Sequence, residues 1–173
     1  MSFWGWFFKG SGAGPGLRRL FDIWLIFHIA VGCLVASISP ALLCEAAKGL
    51  LLPLTGIFIG LSFAWGGNAQ ALLETQEIKN MAQLHKGGFE EYIYTYQLSI
   101  LIILFTLVAW GVAGLNIYDT VWPTLSNTPL YFITGASLYT LASLSLRECW
   151  HVVLGAHAML LARHNILKNK QNQ

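Results

Sequence analysis

Charge is scarce in this chain of 173 residues, because only 10% of them are charged, against about 25% in an average soluble protein. The formal net charge is only +2, and the one basic cluster is the tail segment Lys168–Lys170. A structured surface for DNA or RNA needs clustered lysines and arginines. Direct nucleic-acid binding is therefore not expected.

Cysteine motifs and catalytic signatures are also lacking. The three cysteines, Cys33, Cys44 and Cys149, are odd in number and widely spaced, so neither a disulfide framework nor a zinc site is predicted. The glycine-rich segment 10–16 lacks the order of a phosphate-binding loop, and no strand precedes it. We predict no enzyme, no catalytic residue, no metal and no cofactor.

Long apolar runs make up much of the sequence, and 55% of the residues are hydrophobic. Runs of about 18 residues or more suffice to cross ~30 Å of hydrocarbon at ~1.5 Å per residue. We predict an all-α integral membrane protein with four spans, after an interfacial aromatic segment and glycine-rich linker at 1–19. The membrane domain covers 20–173, with spans at about 20–43, 49–67, 98–115 and 129–147.

Two helical extensions beyond the bilayer are predicted. Residues 68–97 are polar, with a break at Gly87-Gly88, and indicate a helical hairpin that extends spans two and three into the cytoplasm. The last helix has no breaker from Pro129 to about residue 168. Its length of ~60 Å exceeds the bilayer, so residues 148–168 should project into the cytoplasm.

The basic residues orient this arrangement. With the N-terminus inside, nine of the ten lysines and arginines fall on one side, and only Lys48 falls on the other. Cytoplasmic loops carry such an excess. We expect a multi-pass protein of the bacterial inner membrane, with both termini in the cytoplasm.

Polar side chains in the last helix form a single stripe at helical spacing. Its members are Ser137, Thr140, Ser143, Arg147, Glu148 and His151. Such a stripe is typical of a polar pathway through the protein, or of a hydrogen-bonded seam between helices capped by an Arg147–Glu148 pair. In span one His28 is an intramembrane polar residue, either functional or bonded to a neighbouring helix.

Small residues predict where helices approach closely. Gly32 lies one turn after His28 in span one, and Gly56 and Gly60 form a GxxxG pattern in span two. We predict a homo-oligomer packed through this pattern. A second surface, for a cytoplasmic protein partner, is predicted on the hairpin from Glu74, Glu77, Glu90, Glu91 and Tyr92.

These features favour a small membrane protein that forms a homo-oligomeric assembly, as a pore or membrane-effector subunit. In size and span count it resembles the small four-span membrane subunits of bacterial anti-phage defence operons, such as that of the Kiwa system. No motif carries the resemblance, so no residue role follows from it. The alternatives are a haem-binding protein of cytochrome b type, with His28 and His151 or His157 as ligands, and a small transporter.

Overall fold

Every regular element of the protein is helical in the part of the chain that the computed structural model describes, residues 2–10, 16–39, 42–75, 88–118 and 129–171. The elements are α1 (Phe3–Lys9), a 3₁₀ turn (Gly16–Leu20), α2 (Ile23–Ile38), α3 (Leu43–Ala46), a π-helical turn (Ala47–Leu51), α4 (Leu52–Leu73), α5 (Gly88–Gly114) and α6 (Pro129–Gln171). The all-helical prediction is confirmed.

The first apolar run makes a shorter helix than the 20–43 predicted. Asp22 caps its start, with Oδ1 accepting from the backbone N–H of Ile23 at 2.6 Å. The helix ends at Ile38, because Pro40 lacks an N–H and disfavours helical geometry in the residue before it. At 16 residues, α2 is about 24 Å long.

The second apolar segment begins earlier than the predicted start at Gly49. Helical structure resumes at Leu43 and continues through the π-helical turn into α4, so Lys48 lies within a helix instead of in a loop. In that turn the N–H of Leu52 bonds to the carbonyl of Ala47, one residue further back than in an α-helix. Pro53 explains the wider turn, because it cannot donate to the carbonyl four residues earlier.

α6 is the central helix and packs against α2, α4 and α5. We call the end of the bundle that holds Leu43 the upper end, and the end that holds Trp6 the lower end. At the upper end, buried side chains from α3 to α6 form one core cluster: Leu43, Ala47, Leu51, Trp110, Ala113 and Leu138. Trp110 is fully buried there and donates its indole N–H to the carbonyl oxygen of Leu138 at 3.1 Å.

The N-terminal aromatic segment is part of this fold. Trp6 is fully buried and packs with Leu98 and Tyr94 of α5, while Trp4 is exposed. The segment predicted to be interfacial is therefore split, with one tryptophan inside the chain and one at the surface.

Two helices, Leu43–Ala71 and Ile93–Gly114, are long and apolar enough to cross a membrane. The helix Ile23–Ile38 is equally apolar but shorter. In α6, serine, threonine and tyrosine residues interrupt the apolar run of the first half.

Only the two ends of the predicted polar hairpin lie within the described residues. Residues 76–87, which include Glu77 and Gly87, lie outside the described residues. α4 continues through Gly66-Gly67 without a break, so these two glycines do not interrupt the helix. Gly66 instead makes room for the Tyr96 ring of α5, whose hydroxyl donates to the carbonyl oxygen of Ser62 at 2.9 Å.

Candidate functional site

His28 of α2 is the first member of a buried polar cluster in the lower half of the bundle. Only 6% of its surface is exposed, and its Nδ1 lies 2.7 Å from the Ser143 hydroxyl of α6. The two residues meet because α2 and α6 run antiparallel, with Gly32 one turn above His28. An added Cβ on Gly32 would lie 2.6 Å from the carbonyl oxygen of Ala136 and 2.8 Å from the amide nitrogen of Thr140.

Glu148 joins the cluster from the other side of α6. This carboxylate is 3% exposed and accepts a hydrogen bond from the hydroxyl of Ser99 on α5 at 2.7 Å. The Nδ1 atom of His151, one turn further along α6, lies 3.8 Å from the same carboxylate. A buried charge is costly unless it is paired or hydrogen-bonded, and the Ser99 hydroxyl supplies such a hydrogen bond.

Arg147 pairs with Asp22 of α2, and not with Glu148 as predicted. The guanidinium and carboxylate atoms are 3.9 Å apart, and the Asp22 side chain is half exposed. Consecutive residues of a helix point about 100° apart, which directs Arg147 toward α2 and Glu148 toward α5. The predicted Arg147–Glu148 pair is therefore replaced by two contacts, one between Arg147 and α2 and one between Glu148 and α5.

The 3₁₀ turn adds a third basic contact at the lower end. The Nη1 atom of Arg19 donates to the Thr95 hydroxyl of α5 at 2.8 Å. Sequence reasoning missed Ser99, Thr95 and Arg19, because single hydroxyls in an apolar run and a basic residue before it are ordinary features. The signal available in the sequence was Asp22, an acidic residue near the start of the first apolar run.

The upper part of the predicted stripe does not continue as a polar route within the described residues. Thr140 donates to the carbonyl of Ala136 and sits under Gly32, while Ser137 is exposed and donates to the carbonyl of Ile133. The stripe is therefore covered by α2 from Thr140 downward. This geometry agrees with a seam between helices, and the open pathway stays a prediction.

Three nitrogen atoms of the cluster are buried without a hydrogen-bond partner among the described residues. They are Nε2 of His28, Nη1 of Arg147 and Nδ1 of His151. Buried polar atoms in proteins are nearly always satisfied by protein groups or by water. Water molecules are therefore the expected partners of these three atoms.

A small cavity lies on the same seam at the upper end. It measures about 40 Å³ and is lined by Ser39, Tyr131 and Tyr139 among others. The hydroxyls of Ser39 and Tyr139 are 3.2 Å apart, and the Tyr131 hydroxyl accepts from the backbone N–H of Leu43 at 3.0 Å. The Gly32 contact separates this cavity from the lower cluster.

Four glycines of the second apolar segment face away from the other described residues. A Cβ added at Gly49, Gly56, Gly60 or Gly67 would meet nothing within 4 Å among the described residues. Within α4 the small, exposed residues fall in an arc of about 80° at ~100° per residue. They are Pro53, Gly56, Gly60, Ala64, Gly67 and Ala71.

Of the predicted partner surface, only Glu74 is described with its side chain, and it is exposed. Glu90, Glu91 and Tyr92 lie in the first turns of α5, and their side chains are outside the described part of the structure. In that part no group of three or more His, Cys, Asp or Glu side chains is arranged to hold a metal ion. The haem alternative stays a prediction.

The comparisons with known protein families, curated proteins and solved structures found no match. Function is therefore inferred from the chain's own geometry.

Proposed function

We propose that the protein is a four-span inner-membrane subunit that assembles with copies of itself through the small-residue face of α4. The observation that supports this proposal is the small-residue face of α4, which extends from Pro53 to Ala71. It is exposed along almost the whole helix and has no occupant among the described residues.

The distribution of side chains supports placement in a bilayer. Large apolar residues such as Trp24, Phe27 and Phe105 point outward, while the interior holds Glu148 and His28. A soluble protein buries its apolar groups and rarely buries charge, whereas intramembrane ionisable groups face the bundle interior. In this proposal α2 and the first half of α6 are spans as well, and the lower end is cytoplasmic by the excess of lysine and arginine.

A second copy of the same chain is the occupant that suits the α4 face. Lipid gives helices little hydrophobic reason to associate, so close backbone contact across small residues supplies the attraction. In a two-fold dimer the same face of each copy would meet its counterpart, which gives an isologous interface. Gly56 and Gly60 lie near its centre, where two helices would cross.

This assembly places the lower parts of α4, α5 and α6 on the cytoplasmic side, available to a soluble partner. A pore along the α6 stripe is less favoured, because α2 covers Thr140 and Ser143. The protein then serves as a membrane-embedded subunit of a larger complex, and a place in an anti-phage defence system stays a hypothesis based on size and span count.

The test replaces both central glycines by leucine. Gly56→Leu/Gly60→Leu should convert the assembly to smaller species in mild detergent, because the larger side chains prevent close helix approach. Mass is measured by light scattering, and helicity by circular dichroism. Gly111→Leu is the matched control, since a Cβ at Gly111 also meets nothing within 4 Å, on α5. An unchanged mass in the double variant, or an equal loss in the control, would refute the α4 interface.

A further inference from the structure

His28 is a buried imidazole whose two ring nitrogens differ in their hydrogen bonding. Its Nδ1 is fixed 2.7 Å from the Ser143 hydroxyl, whereas Nε2 is buried without a partner among the described residues. When the Nδ1–H donates to Ser143, Nε2 presents a lone pair, which is the form of histidine that accepts a proton.

Two polar side chains, Asp22 and Arg147, lie between His28 and the lower end. Side-chain exposure falls from 50% at Asp22 to 15% at Arg147, and His28 itself is 6% exposed. Above His28 the seam closes, because Gly32 lies against the backbone of α6 at Ala136 and Thr140. Access to His28 is therefore one-sided, from the end where Asp22 lies.

Several charged groups surround His28. Arg147, Glu148 and His151 of α6 act on it electrostatically, and Asp22 of its own helix pairs with Arg147. From the 3₁₀ turn, Arg19 acts on Glu148 in turn. Two acids offset two arginines, so the imidazoles determine the net charge of the cluster.

We propose that His28 is a proton-binding site that exchanges protons with the cytoplasmic side through the polar groups at the lower end. The proton from that solution adds to the Nε2 lone pair of the neutral ring, while Nδ1–H continues to donate to Ser143. The product is an imidazolium that the Glu148 carboxylate attracts electrostatically, and at higher pH the same proton returns to solution. No other bond forms or breaks. This inference goes beyond the proposed assembly and does not depend on the α4 face.

The direct test follows the imidazole nitrogens by NMR of the full-length protein, labelled with ¹⁵N-histidine in lipid nanodiscs. The His28 signals are assigned by their loss in His28→Asn. We expect them to change reversibly from the neutral to the doubly protonated pattern between pH 8 and pH 4.5. His157 of α6, which is exposed, is followed in the same samples as the internal control. A His28 ring that stays neutral while His157 titrates, with helicity unchanged, would overturn the proposal.

Two charge variants separate proton binding from a purely structural role. Glu148→Gln removes a negative neighbour and should move the His28 titration midpoint to lower pH, whereas Arg147→Gln removes a positive one and should move it to higher pH. Each substitution should shift the His28 midpoint by about one pH unit, as is typical of partly buried charges. The His157 midpoint should not move in either variant. A His28 midpoint that is unchanged in both variants would show that the ring is not part of this charged cluster.

Discussion

Gly32→Ala is the smallest change that should separate α2 from α6. The new methyl group would lie 2.6 Å from the carbonyl oxygen of Ala136 and 2.8 Å from the amide nitrogen of Thr140, and it would also overlap the Thr140 hydroxyl. The hydroxyl can rotate away, but the two backbone atoms belong to a continuous helix. α2 must therefore move outward.

The expected cost follows from what that movement disturbs. Overpacking a well-packed contact by one methyl group destabilises proteins by about 1–3 kcal/mol. His28 lies one turn below Gly32 on the same face of α2, so the same displacement weakens its hydrogen bond to Ser143, a further ~1 kcal/mol. We expect Gly32→Ala to lose about 2–4 kcal/mol in total.

The assay is unfolding by sodium dodecyl sulfate from mild-detergent micelles, followed by circular dichroism and tryptophan fluorescence. Gly111→Ala is the matched control, because open space surrounds its new methyl group. Adding Thr140→Ala to Gly32→Ala removes the hydroxyl but leaves the backbone atoms, so it should recover only a small part of the loss. Equal unfolding midpoints for Gly32→Ala and Gly111→Ala, or full recovery in the double variant, would refute the close contact.

Two further predictions concern the lower end and the topology. Arg147→Lys should cost at most about 1 kcal/mol of unfolding free energy, because the pair with the half-exposed Asp22 is long, at 3.9 Å. A double-mutant cycle with Asp22→Asn measures the coupling energy between the two side chains. A coupling energy near zero would refute the ion pair. A cysteine placed at Leu115 should react with an impermeant thiol reagent on intact cells, whereas one placed at Glu74 should not; the reverse pattern would invert the proposed orientation.

Periodicity and composition were sufficient for the helical class and for the long last helix. The absence of breakers after Pro129 predicted a helix to about residue 168, and the structure has it continue to Gln171. The boundaries near Pro40 and Pro53 were less predictable, because a proline ends one helix and is tolerated by a π-helical turn in the next. Ala47 and Leu51 of this turn are buried in the upper core, and the sequence alone does not predict that packing.

The polar stripe shows where sequence reasoning stops. Helical spacing correctly identifies residues that share one face of α6, but it does not say what lies opposite. Arg147 and Glu148 are adjacent in sequence, and the structure directs one to Asp22 and the other to Ser99. Each partner comes from a different helix, and only the tertiary arrangement makes them neighbours.

The same arrangement explains why the two proposed properties belong to opposite sides of the bundle. α6 uses one flank for α2 and another for α4 and α5, so the His28 cluster is enclosed while the outer face of α4 remains exposed. A substitution on the α4 face should therefore change assembly without moving the His28 titration, and Glu148→Gln should do the reverse. If Gly56→Leu/Gly60→Leu shifted the His28 midpoint as well, the two sites would be coupled through α6, and self-association would itself regulate proton binding.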